Sequence, residues 1–148
     1  MKKVLKKKQR LPARAKSQVA LKRTVSVRRN PAELKHFSWD RVECEAVTPL
    51  LERQLIVGQQ VMLARLLLRK GCIVPLHSHV NEQLSLIFEG ALKFWIDDKE
   101  IIVRAGEVLT IPPNMPHKAE ALEDTRGIDV FDPPRADWLN KTDSYLRK

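Results

Sequence analysis

The chain has 148 residues, two cysteines and a formal net charge of +9. That length gives one domain, or one domain and a tail, with enough chain to bury a core without disulfides, and no apolar run approaches the ~18 residues of a transmembrane helix. Cys44 and Cys72 form no CxxC pair, which excludes a cysteine zinc ribbon and a disulfide-dense secreted scaffold and points to a reducing, cytoplasmic setting.

The charge is unevenly spread. Residues 1–30 hold twelve Lys or Arg and no acid, whereas residues 31–148 hold 15 basic and 18 acidic side chains. The segment carries the cluster Lys2, Lys3, Lys6, Lys7 and Lys8 and no aromatic residue. It repels itself and has little apolar surface to bury, so it reads as a largely disordered basic tail. No apolar stretch follows the lysines, so it is not a secretory signal, although its Arg-rich, acid-free composition resembles a transit peptide. Nothing aromatic is interleaved to stack bases, so any nucleic-acid contact would belong to this tail alone and would not read sequence. Two roles stay open for it: a solvated extension, or a contact for an anionic partner or targeting factor. Residues 31–148 are then the folded domain. His36 lies in its leading linker, before Phe37 and Trp39, and takes no functional role.

From about residue 50 onward, Gly, Pro or Asp-Asp punctuation recurs every 8–20 residues. Between these breaks lie short β-rich runs, Leu55–Val57, Val61–Leu68, Leu84–Phe88, Leu92–Ile96, Ile101–Val103, Val108–Ile111 and Ile128–Phe131. Short strands at such spacing predict an all-β sandwich or barrel. Periodicity alone would also allow a helix over Leu63–Arg69; its neighbours decide for strand. Asp97-Asp98-Lys99 between two apolar runs predicts a hairpin turn. A short closing helix is expected over Asp137–Tyr145.

The chemistry lies in the histidines. His77 and His79 stand as His-Ser-His, and on a strand residues i and i+2 share a face, so both imidazoles would converge on one point. That is a natural pair of ligands for a first-row divalent metal. Gln83 opens the run Leu84–Phe88 and its amide oxygen can ligate weakly. His117 follows the stiff stretch Ile111-Pro112-Pro113-Asn114-Met115-Pro116, which would hold a third imidazole at a sheet edge. Taken singly, each would pass as a surface or turn histidine; taken together with the glycines, they form a pattern.

That pattern resembles the cupin family. Its first motif, G(x)5HxH(x)3–4E(x)6G, is matched by Gly71, His77, His79, Gln83 and Gly90. The second, G(x)5PxG(x)2H(x)3N, is matched by Gly106, Pro112, Asn114 and His117. The resemblance covers roughly residues 50–132 and implies a double-stranded β-helix, the jelly-roll barrel, with one divalent metal in its mouth. Zn, Ni, Mn, Fe and Co all suit such ligands. Three positions depart from the motifs: Gln83 stands for the usual Glu, Asn114 for Gly, and Ala121 for Asn. Asn tolerates a left-handed turn, so the second costs little. The first is informative. Three His and a Gln are all neutral, which keeps the full dication charge for Lewis-acid work on an anionic substrate and disfavours redox cycling.

Within the cupins, three stretches are similar to the KdgF type of pectin and alginate catabolism, which opens 4,5-unsaturated monouronates to linear keto sugar acids. They are Pro75–His79 with Glu82-Gln83, Ile111–His117, and above all Asp129–Leu139, which holds Asp132-Pro133-Pro134-Arg135. The resemblance implies His77, His79, Gln83 and His117 as metal ligands and Asp129, Phe131 and Arg135 as catalytic residues. The residue types are suitable. Asp129 and Phe131 are i and i+2 on one strand and can both face the barrel mouth. A carboxylate there can act as general acid or base, Arg135 can clamp a carboxylate, and Phe131 can pack on a sugar face. Taken alone, they would equally pass as a turn Asp, a core Phe and a surface Arg paired with Asp132 or Asp137. The expectation is a metal-dependent enzyme of hydratase or isomerase type on a small anionic substrate. A dioxygenase, an isomerase of another small acid, and a non-catalytic ligand-binding cupin are the alternatives. The family also implies a homodimer.

Overall fold

Inward and outward side chains alternate along most strands of this chain, and that period of two sets the architecture. The computed structural model describes residues 33–147; the expected tail over residues 1–30 lies outside them. From Lys35 the chain forms one compact unit. After a 3-10 turn at Trp39–Arg41 come ten strands: β1 Cys44–Thr48, β2 Leu51–Val57, β3 Met62–Leu68, β4 Ile73–His77, β5 Glu82–Glu89, β6 Ala91–Ile96, β7 Lys99–Arg104, β8 Val108–Ile111, β9 His117–Ala121 and β10 Thr125–Asp132. One helix, α1, spans Ala136–Leu139. The strands form a six-stranded sheet in the order β1-β2-β3-β10-β5-β8 and a four-stranded sheet in the order β4-β9-β6-β7. Every pairing is antiparallel. This is the expected all-β jelly roll, and the Leu63–Arg69 ambiguity resolves as strand β3.

The core takes one side chain in two from most strands: Met62 and Ala64 from β3, Ile87 from β5, Phe94 and Ile96 from β6, Ala119 and Ala121 from β9. Inward polar positions from four of the strands cluster at one end. His77 closes β4 opposite His117, which opens β9. Gln83 near the start of β5 pairs with Phe131 near the end of β10, and Ser85 with Asp129. Antiparallel register therefore brings the ends of β4 and β10 and the starts of β5 and β9 to the same mouth.

Several local expectations are corrected. Strands β1, β4 and β9 were not anticipated as runs of their own. Glu45 interrupts β1, Pro75 interrupts β4, and His117-Lys118-Ala119-Glu120-Ala121 is made of residues that favour helices or loops; pairing with neighbours overrides that propensity. Pro75 is tolerated because β4 is an edge strand whose register shifts between Val74 and His77. The hairpin loop is Asp97-Asp98 alone, both at positive φ, with Lys99 already paired to Ile96. The closing helix ends at Leu139 instead of Tyr145, and turns follow at residues 140–141 and 144–146.

The motif glycines have a backbone reason. Gly90 sits at φ +81°, and a Cβ there would lie 2.4 Å from the Asp124 carbonyl oxygen. Gly90→Ala thus meets a left-handed penalty of about 1–2 kcal/mol and a backbone clash as well. It should lower the urea midpoint by more than that penalty alone would. Asn114, at φ 63°, takes the left-handed turn that the motif usually gives to Gly.

Candidate metal centre

His77 is the last residue of β4, and His79 lies in the loop beyond it, so the two do not share a strand face as expected. The loop brings them together all the same. One ring nitrogen each from His77, His79 and His117 lie within 4.8 Å of one another. The His77 and His117 ring centroids are 4.2 Å apart. His117 is not at a sheet edge but opens β9, the second strand of the four-stranded sheet.

Hydrogen bonding aims all three rings. His77 Nδ1 lies 2.8 Å from the Pro75 carbonyl oxygen, His79 Nδ1 3.0 Å from that of Asn81, and His117 Nδ1 2.8 Å from that of Met115. A carbonyl only accepts, so each Nδ1 carries the proton and each Nε2 is left with its lone pair. Burial pushes the imidazoles well below their ordinary range, to about 3 for His77, where the neighbouring His117 adds to it, and to about 4 for His79, where Arg135 adds to it. His117 is lowered too, first by burial. All three are neutral near pH 7.

Gln83 completes the cluster. Its Nε2 donates to Ser85 Oγ at 2.9 Å and to Asp129 Oδ2 at 3.1 Å, which fixes the amide with Oε1 turned to the histidines. Oε1 lies 3.1 Å from His79 Nε2. Both atoms are then acceptors, because a neutral His79 protonated at Nδ1 has no second proton to give. Two facing lone pairs, beside a buried His117 Nε2 with no hydrogen-bond partner among the described residues, fit a cation and little else. The donor set of imidazoles and one carboxamide oxygen suits a first-row divalent ion.

The other expected residues border the same space. Asp129 is buried beside Gln83, and burial raises its carboxyl to about 6 against the pull of Ser85 and Arg135. Phe131 is fully buried, edge-on to His79 and to Trp138 at 5.6 and 5.1 Å between centroids. Arg135 is not a surface residue: it is 1% exposed. Its Nε and Nη2 donate to the two oxygens of Asp137 at 2.9 and 2.6 Å, and Nη2 also donates to the Tyr145 hydroxyl at 2.8 Å. That uses the fork expected to clamp a carboxylate; Nη1 remains, buried and without a partner among the described residues.

Three residues of this neighbourhood went unnoticed in the sequence. Asn81 is buried and donates to the Pro133 carbonyl, tying the His79 loop to the segment before Arg135. Tyr145 stacks on His77 at 4.5 Å with its plane tilted by 21°. Arg53 lines the same cavity as His77, Gln83, His117, Asp129 and Arg135. Only the apolar-polar alternation of β2 could have drawn attention to Arg53, since it occupies an inward position. The cavity measures about 40 Å³, room for a few waters, and Leu146 forms part of its wall.

Comparison with known proteins places these features. The cupin domain family model, Cupin_2, matches residues 64–131. The uncharacterized protein MJ1618 of Methanocaldococcus jannaschii is 31% identical over 75 residues, which are 50% of this chain and 60% of that protein. An RmlC-like cupin from Shewanella frigidimarina superposes with a TM-score of 0.66 at 28% identity, covering 71% of this chain and 96% of that one. KdgF from Halomonas sp. superposes with a TM-score of 0.67 at 23% identity, covering 72% of this chain and 99% of that one. Among the described residues no helix is long and apolar enough to cross a membrane.

Proposed function

We propose, from the match of residues 64–131 to the cupin domain family model, that His77, His79, Gln83 and His117 bind one divalent metal that serves a reaction on a small acid, and that this reaction is the ring opening of 4,5-unsaturated monouronates. The observation that carries the metal is the pair of facing acceptors, His79 Nε2 and Gln83 Oε1, 3.1 Å apart beside the unpartnered His117 Nε2. The resemblance of Asp129–Leu139 to the uronate-opening cupins supports the substrate.

The bound ion would supply Lewis acidity. Asp129 delivers a proton to C4 of the C4=C5 double bond, water adds its oxygen to C5 and returns a proton to Asp129, and the hemiketal opens to the keto acid. Arg135 holds the uronate carboxylate through Nη1, the guanidinium nitrogen that Asp137 and Tyr145 leave free. Phe131 sets the floor behind His79. A six-carbon acid exceeds the present cavity, so the wall at Leu146 must move aside for it to enter. The test is the loss of ultraviolet absorbance of an unsaturated monouronate with metal-loaded protein. Acceleration over buffer is expected, and its absence would end this reading.

Tyr145→Phe removes the hydroxyl that steadies Arg135. A hydrogen bond to a charged group contributes about 1.5–3 kcal/mol, so KM for the acid should rise roughly tenfold or more while kcat stays near wild type. Steady-state kinetics on the same substrate check this.

A second reading has its own support in the size of the cavity. Some 40 Å³ suits an acid smaller than a uronate. Under it the same centre binds or isomerises such an acid, and tight binding without uronate turnover would favour it. Dimerisation and a cytoplasmic place remain part of the proposal, checked by light scattering and by fractionation.

A further inference from the structure

Two guanidinium groups line the cavity, and the uronate reading uses one. Arg53 sits on β2 at an inward position that alternation would give to an apolar side chain, and its side chain is fully buried. Its Nε donates to Glu45 Oε2 at 2.9 Å and its Nη1 to Asp143 Oδ2 at 2.7 Å. The first ties β2 to β1 and the second ties the C-terminal segment to β2, while Arg147 joins that segment to Glu45 of β1. The two Arg53 bonds leave its Nη2 buried and without a partner among the described residues, as Arg135 leaves Nη1. Both cations pack on one indole: the Cζ atoms of Arg53 and Arg135 are 4.6 and 4.8 Å from the Trp138 ring centre. The acids that pair with them, Glu45, Asp137 and Asp143, do not line the cavity, whose one acidic wall residue is Asp129. A cavity wall with two cations and two spare N–H groups can donate to ligand oxygens at two points.

We propose that Arg53 is a second ligand-binding residue of this cavity, taking an oxygen-bearing group at the end of the ligand remote from the carboxylate held by Arg135. The ligands selected are then acids with a second oxygen function, a second carboxylate binding most strongly, in preference to simple monocarboxylates. The inference rests on the reading of the cavity as an acid site, but not on ring opening.

The test compares malonate with 3-methylbutanoate, which has the same number and branching of heavy atoms, with an isopropyl group in place of the second carboxylate. Full-length protein carrying Trp39→Phe and Trp95→Phe reports through Trp138 fluorescence, metal-stripped and zinc-loaded, so that chelation by the ion is separated from the guanidiniums. Malonate should bind about tenfold tighter or more in both forms. The double variant Arg53→Met with Asp143→Asn leaves no orphaned charge in the pair. It should lose the preference while binding 3-methylbutanoate within about twofold of the parent, and Arg53→Lys should recover part of it. Equal affinities in the parent, a preference that survives in the double variant, or no saturable binding of either acid overturns the proposal. A malonate preference without uronate turnover sinks ring opening and leaves Arg53 standing; uronate turnover without the preference does the reverse.

Discussion

Substituting His117 by alanine is expected to abolish stoichiometric metal binding. The ring is 2% exposed, its Nδ1 is committed to the Met115 carbonyl, and its Nε2 has no other use among the described residues. Loss of an outer-sphere partner of a ligand typically costs about 10–100-fold in metal affinity, and loss of the ligand itself should cost more. Metal content per chain after dialysis, with affinity from titration calorimetry, reads the effect directly. Full occupancy in His117→Ala would show that the ion, if any, lies elsewhere. Treatment of the parent with a chelator should reproduce the loss of activity, and added metal should reverse it.

The second large effect is expected at Asp129. Asp129→Asn keeps the volume and leaves an oxygen to accept from Gln83 Nε2, so the amide that turns Oε1 to the histidines stays in place. Metal content should be unchanged, whereas kcat for the unsaturated uronate should fall by about 10²–10⁴, the usual contribution of a positioned acid or base. Unchanged turnover with intact metal would assign Asp129 to holding Gln83 and nothing further. Measuring metal content and kcat on the same preparation separates the two roles, since a variant that merely loosened Gln83 would lose both together.

Legibility differed by residue type. Gly71, Gly90, Gly106 and Asn114 all take positive φ, a local backbone demand that the sequence displays openly. His77, His79, Gln83 and His117 were legible because the spacings between them span fixed strand and turn lengths. Strand β9 was not, because His-Lys-Ala-Glu-Ala has no strand propensity and owes its conformation to β4 and β6 on either side. For Arg135 the sequence left a carboxylate clamp and a surface pair with Asp132 or Asp137 both open, and only the fold shows it buried, with its fork on Asp137 and Tyr145. Tyr145 and Arg53 were invisible as site residues, because the contacts of Tyr145 with His77 and of Arg53 with Asp143 join segments far apart along the chain.

The sequence by itself determined the all-β class, the turns and the identity of the four clustered ligand candidates, since turn geometry and the period of two act over a few residues. The tertiary structure alone decided the register that sets His77 opposite His117, the tautomers that aim three Nε2 atoms inward, and the closing of the cavity by the C-terminal residues. Those depend on contacts between distant segments, whose free energies exist only once the chain has packed.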